Sequence, residues 1–83
     1  MYTVILQAQA EKFLKKLDKN TAHRITDKLR ELEKDPDKGI PLIGNLSGLR
    51  KLRVGDYRII YQIRGQELII LVLNIGHRKN IYD

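Results

Sequence analysis

The chain has 83 residues, no cysteine, 42% hydrophobic and 31% charged residues, a formal charge of +6 and a pI near 9.8. These values describe one folded domain, which at this length buries only roughly 60–65% of the surface its unfolded chain exposes. Disulfides and thiolate metal sites are excluded, and the basic excess favours acidic partners without specifying a fold.

Residues 2–7 form a short β-rich run and predict a first strand. They become polar too soon for a signal peptide, and no apolar run in the chain approaches a membrane span, so a cytoplasmic protein is expected. Ala10, Phe13, Leu14 and Leu17 then fall at helical spacing, with Lys12, Lys15, Lys16 and Lys19 on the remaining surface. Asn20 is the expected N-cap of a second helix whose apolar stripe is Ala22, Ile25, Leu29 and Leu32. So short a connection predicts an antiparallel helical hairpin. Residues 36–48 hold both prolines and three of the six glycines, and read as a crossing loop.

Three strands follow, at 49–54, 57–64 and 67–75. Gly55-Asp56 is a Gly-first pair between two alternating runs, which suits a tight primed hairpin turn. That loop would pair Val54 with Tyr57, Arg53 with Arg58, Leu52 with Ile59 and Lys51 with Ile60. Side chains alternate along a strand, so Lys51, Arg53 and Arg58 would share one open face, opposite Leu52, Val54, Tyr57, Ile59 and Tyr61. Gly65-Gln66 marks the next turn. The run 68–73 is apolar on both faces, as in a central strand, leaving room for the first strand beside it. The expected fold class is α+β: an N-terminal strand, a helical hairpin and a three-stranded antiparallel meander, with two helices on one face of a small, mostly antiparallel sheet. Residues 1–83 form a single domain.

The charge is uneven. Residues 1–48 carry nine Lys/Arg and seven Asp/Glu, a difference of +2, whereas residues 49–83 carry seven and three, a difference of +4. No phosphate-binding glycine loop, dinucleotide fingerprint or Cys/His ligand set is present, and no metal or cofactor is implied. His23 and His77 are the only histidines and Ser47 the only serine. What remains is the cationic face and the tail Gly76-His77-Arg78-Lys79-Asn80-Ile81-Tyr82-Asp83, in which Gly76 would let the chain turn at the sheet edge. His77, Arg78 and Tyr82 would then gather near the end of the cationic face. Arginines clamp phosphate oxygens through a planar fork of donors, histidine moves protons, and a tyrosine ring stacks on a base.

The segments Leu52-Arg53-Val54-Gly55-Asp56-Tyr57-Arg58-Ile59-Ile60-Tyr61 and Gly76-His77-Arg78-Lys79-Asn80-Ile81-Tyr82 together resemble the RelE/ParE superfamily of toxin–antitoxin toxins. The RelE branch implies a metal-independent, ribosome-dependent mRNA endoribonuclease, in which the ribose 2′-hydroxyl attacks the adjacent phosphorus. By position, the resemblance implies that Lys51, Arg58, Arg78 and Tyr82 are catalytic, with His77 available as general acid. Arg53 and Lys79 would hold RNA. It also implies a RelB-like cognate antitoxin, the ribosome and mRNA as partners. Relatives often carry a second lysine two residues before the first, where this chain has Leu49, and the identity of base and acid stays open. The ParE branch implies a gyrase inhibitor without nuclease activity. The residues alone also fit a non-enzymatic nucleic-acid-binding module.

Overall fold

A computed structural model describes residues 1–77. The elements run β1 (Thr3–Leu6), α1 (Ala8–Lys16), α2 (Lys19–Lys34), a short β2 (Ile40–Pro41), β3 (Arg50–Val54), β4 (Tyr57–Arg64) and β5 (Ile69–His77). One five-stranded sheet has the order β1-β5-β4-β3-β2, with β1 parallel to β5 and every other pairing antiparallel. Both helices lie on one face of it, α1 against β5 and β1, and α2 against β1 and β3. The expected α+β architecture is therefore present, with one strand more than the sequence suggested.

That extra strand comes from the crossing loop, where Ile40 pairs with Lys51 and Pro41 with Arg50. Its position is fixed from the sheet. The Tyr61 hydroxyl donates to the Pro36 carbonyl at 2.6 Å and accepts from the Gly39 N–H at 2.9 Å. Arg50 donates to the Gly39 carbonyl at 2.6 Å and lies 3.4 Å from the Asp37 carboxylate. Only glycine fits at position 39, because a Cβ there would stand 2.6 Å from the Tyr61 hydroxyl and 2.9 Å from the Lys51 carbonyl oxygen.

The helices bury the stripes their spacing predicts: Ala10 from α1, and Ile25, Leu29 and Leu32 from α2. These meet Ile59 and Tyr61 of β4 and Ile70, Val72 and Ile75 of β5 in one core. The N-cap of α2 is Asp18, not Asn20. Its carboxylate accepts from the Thr21 N–H at 3.1 Å and the Thr21 hydroxyl at 2.7 Å, which holds its carboxyl below the usual aspartate range. Asp18 has the extended backbone an N-cap requires, while Asn20 is already helical. The helix ends at Asp35, where the following Pro36 disfavours helical backbone.

One hairpin turn follows the expectation and the next departs from it. Gly55-Asp56 forms the anticipated two-residue loop, with Gly55 at φ +59° and every expected β3–β4 pair in register. The β4–β5 connection is a four-residue loop, 65–68, closed by Arg64 opposite Ile69, and Leu68 takes φ +56° within it. Finally, β5 continues through Gly76 to His77, so Gly76 is a strand residue and not a turn.

Candidate functional site

The β3–β4 register places Lys51, Arg53 and Arg58 on one sheet face, with Arg53 directly opposite Arg58. Like charges so opposed are unfavourable unless something of opposite sign meets them. The face is less open than the sequence suggested. Arg53 is exposed and Lys51 half-buried, but Arg58 is 0% exposed. Its Nη1 donates to the His77 carbonyl.

A β-bulge decides what surrounds Arg58. On β5, partners run Ile59↔Ile75 and Ile60↔Asn74, then jump to Tyr61↔Val72, leaving Leu73 as the extra residue. One extra residue reverses the alternation of faces along a strand. On one side of the bulge Ile70 and Val72 face the helices; beyond it Ile75 and His77 do. Asn74 and Gly76 consequently share the Arg58 face, with Gly76 paired to Arg58. A Cβ at Gly76 would stand 3.6 Å from both Arg58 Nη1 and Asn74 Oδ1.

The same inversion corrects the expected place of His77. It does not join the cationic face. Its ring lies on the helix side, 4.8 Å from the Tyr57 ring and 6.5 Å from the Phe13 ring by centroid. Phe13 and Tyr57 meet edge to face at 6.0 Å. His77 is exposed at the end of β5, and its backbone carbonyl is what it contributes to Arg58. Arg78, Lys79 and Tyr82 lie outside the described residues. The structure thus groups Lys51, Arg53 and Arg58 and sets the His77 ring apart.

Sequence reasoning missed Asn74. Its Oδ1 is buried and has no hydrogen-bond partner among the described residues. A signal was available, because a lone asparagine in an otherwise apolar strand runs against β-propensity. It also missed Gln9, whose amide bonds both backbone groups of Ile75 at 3.0 Å. On the helix side, Val4 and Leu6 of edge strand β1 line a cleft of about 250 Å³ with Leu14, Leu29 and Arg30. No described helix is long and apolar enough to cross a membrane.

Comparison with known proteins agrees with this fold. The chain is 30% identical to toxin RelG of Mycobacterium tuberculosis over 98% of its length and 95% of that protein's. The toxin–antitoxin complex RelBE2 of M. tuberculosis contains a chain matching at a TM-score of 0.85 with 29% identity, covering 93% of this chain and 98% of that one. The isolated E. coli RelE toxin shares the fold, with a TM-score of 0.81 at 19% identity over 99% of this chain and 89% of that one. A sequence profile for the ParE toxin of type II toxin–antitoxin systems matches residues 4–82. Family profile, full-length relative and sheet topology coincide, and the chain belongs to the ParE toxin family of the RelE/ParE superfamily, as a toxin of a type II toxin–antitoxin system.

Proposed function

We propose that the chain is a ribosome-dependent mRNA endoribonuclease that inhibits translation and needs no metal. The observation carrying this reading is the register that sets Lys51, Arg53 and Arg58 on one sheet face in a chain similar to RelE toxins. In the reaction the ribose 2′-oxygen bonds to the adjacent phosphorus as the bond from phosphorus to the 5′-oxygen breaks. The 2′-hydroxyl proton passes to a base, and the leaving oxygen takes a proton from an acid. The products are a 2′,3′-cyclic phosphate and a free 5′-hydroxyl.

Each side chain has a part in this scheme. Arg58 and Arg78 stabilise the charge that builds on the non-bridging phosphate oxygens, with Lys51 beside them. Tyr82 stacks on the nucleotide or shares in proton transfer, and Arg53 and Lys79 hold the RNA backbone. His77 protonates the leaving oxygen only if the substrate reaches over the end of β5, because its ring stands on the helix side. Arg58 is withdrawn from solvent, so gripping a phosphate includes a step that opens the sheet face around Gly76. A RelB-like antitoxin is the proposed partner, with the cleft along β1 available to its apolar side chains.

The test is to induce the protein in cells and map mRNA 5′ ends. New ends in phase with codons, lost with Arg58→Ala or Arg78→Ala, are expected. Wild-type expression that arrests growth without new mRNA ends would overturn the reading. A second reading is favoured by the family profile itself, which describes ParE toxins: inhibition of DNA gyrase through protein contact. DNA-damage signalling without mRNA cleavage would select it.

A further inference from the structure

Resting on the nuclease reading above, we propose that Asn74 is a substrate-binding residue, whose Oδ1 accepts a hydrogen bond from the ribose 2′-hydroxyl at the phosphate gripped by Arg58. Three observations converge on one point. The bulge at Ile60/Tyr61 turns Asn74 and Gly76 onto the Arg58 face. The place where a Gly76 side chain would begin lies 3.6 Å from Arg58 Nη1 and 3.6 Å from Asn74 Oδ1. Asn74 Oδ1 is a buried acceptor with no donor among the described residues.

A buried, unsatisfied acceptor is unfavourable, and native proteins keep few of them without a function or a bound water. Here the acceptor and a phosphate-binding donor both lie at contact distance from the same point beside Gly76. A nucleotide presents a matching pair at short range: an anionic phosphate and, on the neighbouring ribose, a hydroxyl that donates. The hydroxyl is also the nucleophile of the proposed reaction, so a fixed acceptor aligns it for attack on phosphorus. Both groups are out of solvent reach in this conformation, and the opening that frees Arg58 frees Asn74 with it.

The experiment uses the whole chain and ribosomes programmed with mRNA bearing either a 2′-amino or a 2′-deoxy group at the target nucleotide. The amino group donates a hydrogen bond without cyclising onto the phosphate, and the deoxy position cannot donate. Wild-type protein is expected to bind the 2′-amino mRNA about tenfold more tightly, which corresponds to about 1.4 kcal/mol. Asn74→Leu, or Asn74→Ala if the first folds poorly, should bind both equally and cleave unmodified mRNA at least tenfold more slowly. Asn74→Asp keeps the acceptor and should keep the preference, since its added charge affects both probes alike. Thermal midpoints supply the structural control. Removing an unsatisfied acceptor leaves the midpoint of Asn74→Leu unchanged or raised. A lowered midpoint with the 2′-amino preference intact means that Asn74 only holds a structural water, and overturns the assignment, as does an absence of preference in the wild type. Failure of the wild type to cut unmodified mRNA at all is the separate signature that the nuclease reading itself is wrong.

Discussion

Gln9 and Ile75 exchange two 3.0 Å hydrogen bonds: the side-chain Oε1 accepts from the Ile75 N–H, and Nε2 donates to the Ile75 carbonyl. Pairing between β1 and β5 ends at Leu6 and Val72, so among the described residues no strand lies beside the edge of β5 beyond that point. Gln9, in the first turn of α1, takes the missing strand's place and satisfies both backbone groups of a buried residue. Ile75 lies between Asn74 and Gly76, and this tie holds the segment that faces Arg58.

Gln9→Leu should therefore act on stability and activity together. Each buried backbone group left unpaired costs about 1–3 kcal/mol, and in a domain of this size each 1 kcal/mol lowers the thermal midpoint by roughly 4–8 °C. Calorimetry checks the first part. Growth arrest on induction, expected to weaken, checks the second. A variant with wild-type melting and full toxicity would remove Gln9 from any supporting role.

The tie between Tyr61 and the loop before β2 predicts a stability effect without direct contact with the cationic face. Tyr61→Phe strands the Gly39 N–H and the Pro36 carbonyl, at a cost of about 1–3 kcal/mol for each group that water does not reach. Gly39→Ala should cost more, because the added methyl meets the Tyr61 ring at 2.8 Å and the rigid Lys51 carbonyl at 2.9 Å. Urea unfolding should rank the wild type above Tyr61→Phe and Tyr61→Phe above Gly39→Ala.

Tyr61 also sets a limit at high pH. Burial raises its pKa above the ordinary value of 10.0, against smaller lowering effects of the Gly39 N–H and Arg50. The folded state thus disfavours the phenolate relative to the unfolded chain. Its contribution is fully present below pH 10 and is lost as pH rises through the higher folded-state pKa. The stability gap between wild type and Tyr61→Phe should narrow above pH 10, measured by urea midpoints from pH 8 to 11. A gap constant across that range would show that the phenol does not titrate as buried.

Much of this fold is written in local pattern. The Gly55-Asp56 turn fixed every β3–β4 pair, because a two-residue loop leaves only one register and alternation then assigns the faces. The stripes of Ile25, Leu29 and Leu32 likewise follow from helical spacing. Three features were not legible. The strand at Ile40–Pro41 is held by Tyr61 and Arg50, which are distant in sequence. The bulge is a matter of how β5 registers against β4, and the lone Asn74 beside Leu73 marks an unusual position without fixing that register. That one insertion moved His77 to the helix side and brought Asn74 to Arg58. The burial of Arg58 is tertiary as well, since period-two alternation names a face but not its coverage.

At the junction of the helices, Asp18 predicts an acid-side effect. Its carboxylate is stabilised first by the Thr21 hydroxyl and then by the Thr21 N–H, which lower its pKa below 3.8. A depressed folded-state pKa gives stability that is present above the unfolded value and lost as pH falls through the folded one. Asp18→Ala should lower the thermal midpoint at pH 7, and the difference from wild type should shrink below pH 4. Asn20→Ala, by contrast, should change little, because the cap is made by Asp18.

Arg58 separates charge from geometry most sharply. Its guanidinium is withdrawn from solvent, donates to the His77 carbonyl and stands beside Gly76. Arg58→Met keeps most of the side-chain volume but removes that donor, and losing one member of a buried charged contact is destabilising. The expected result is growth arrest abolished in a chain that still folds, with a thermal midpoint below that of the wild type. Arg58→Lys keeps the charge but loses the planar fork that can hold a backbone carbonyl and a phosphate at once. It should therefore retain only a small fraction of the toxicity. Should Arg58→Lys arrest growth as fully as the wild type, charge alone would suffice at this position, and the forked grip on phosphate would have no part in the activity.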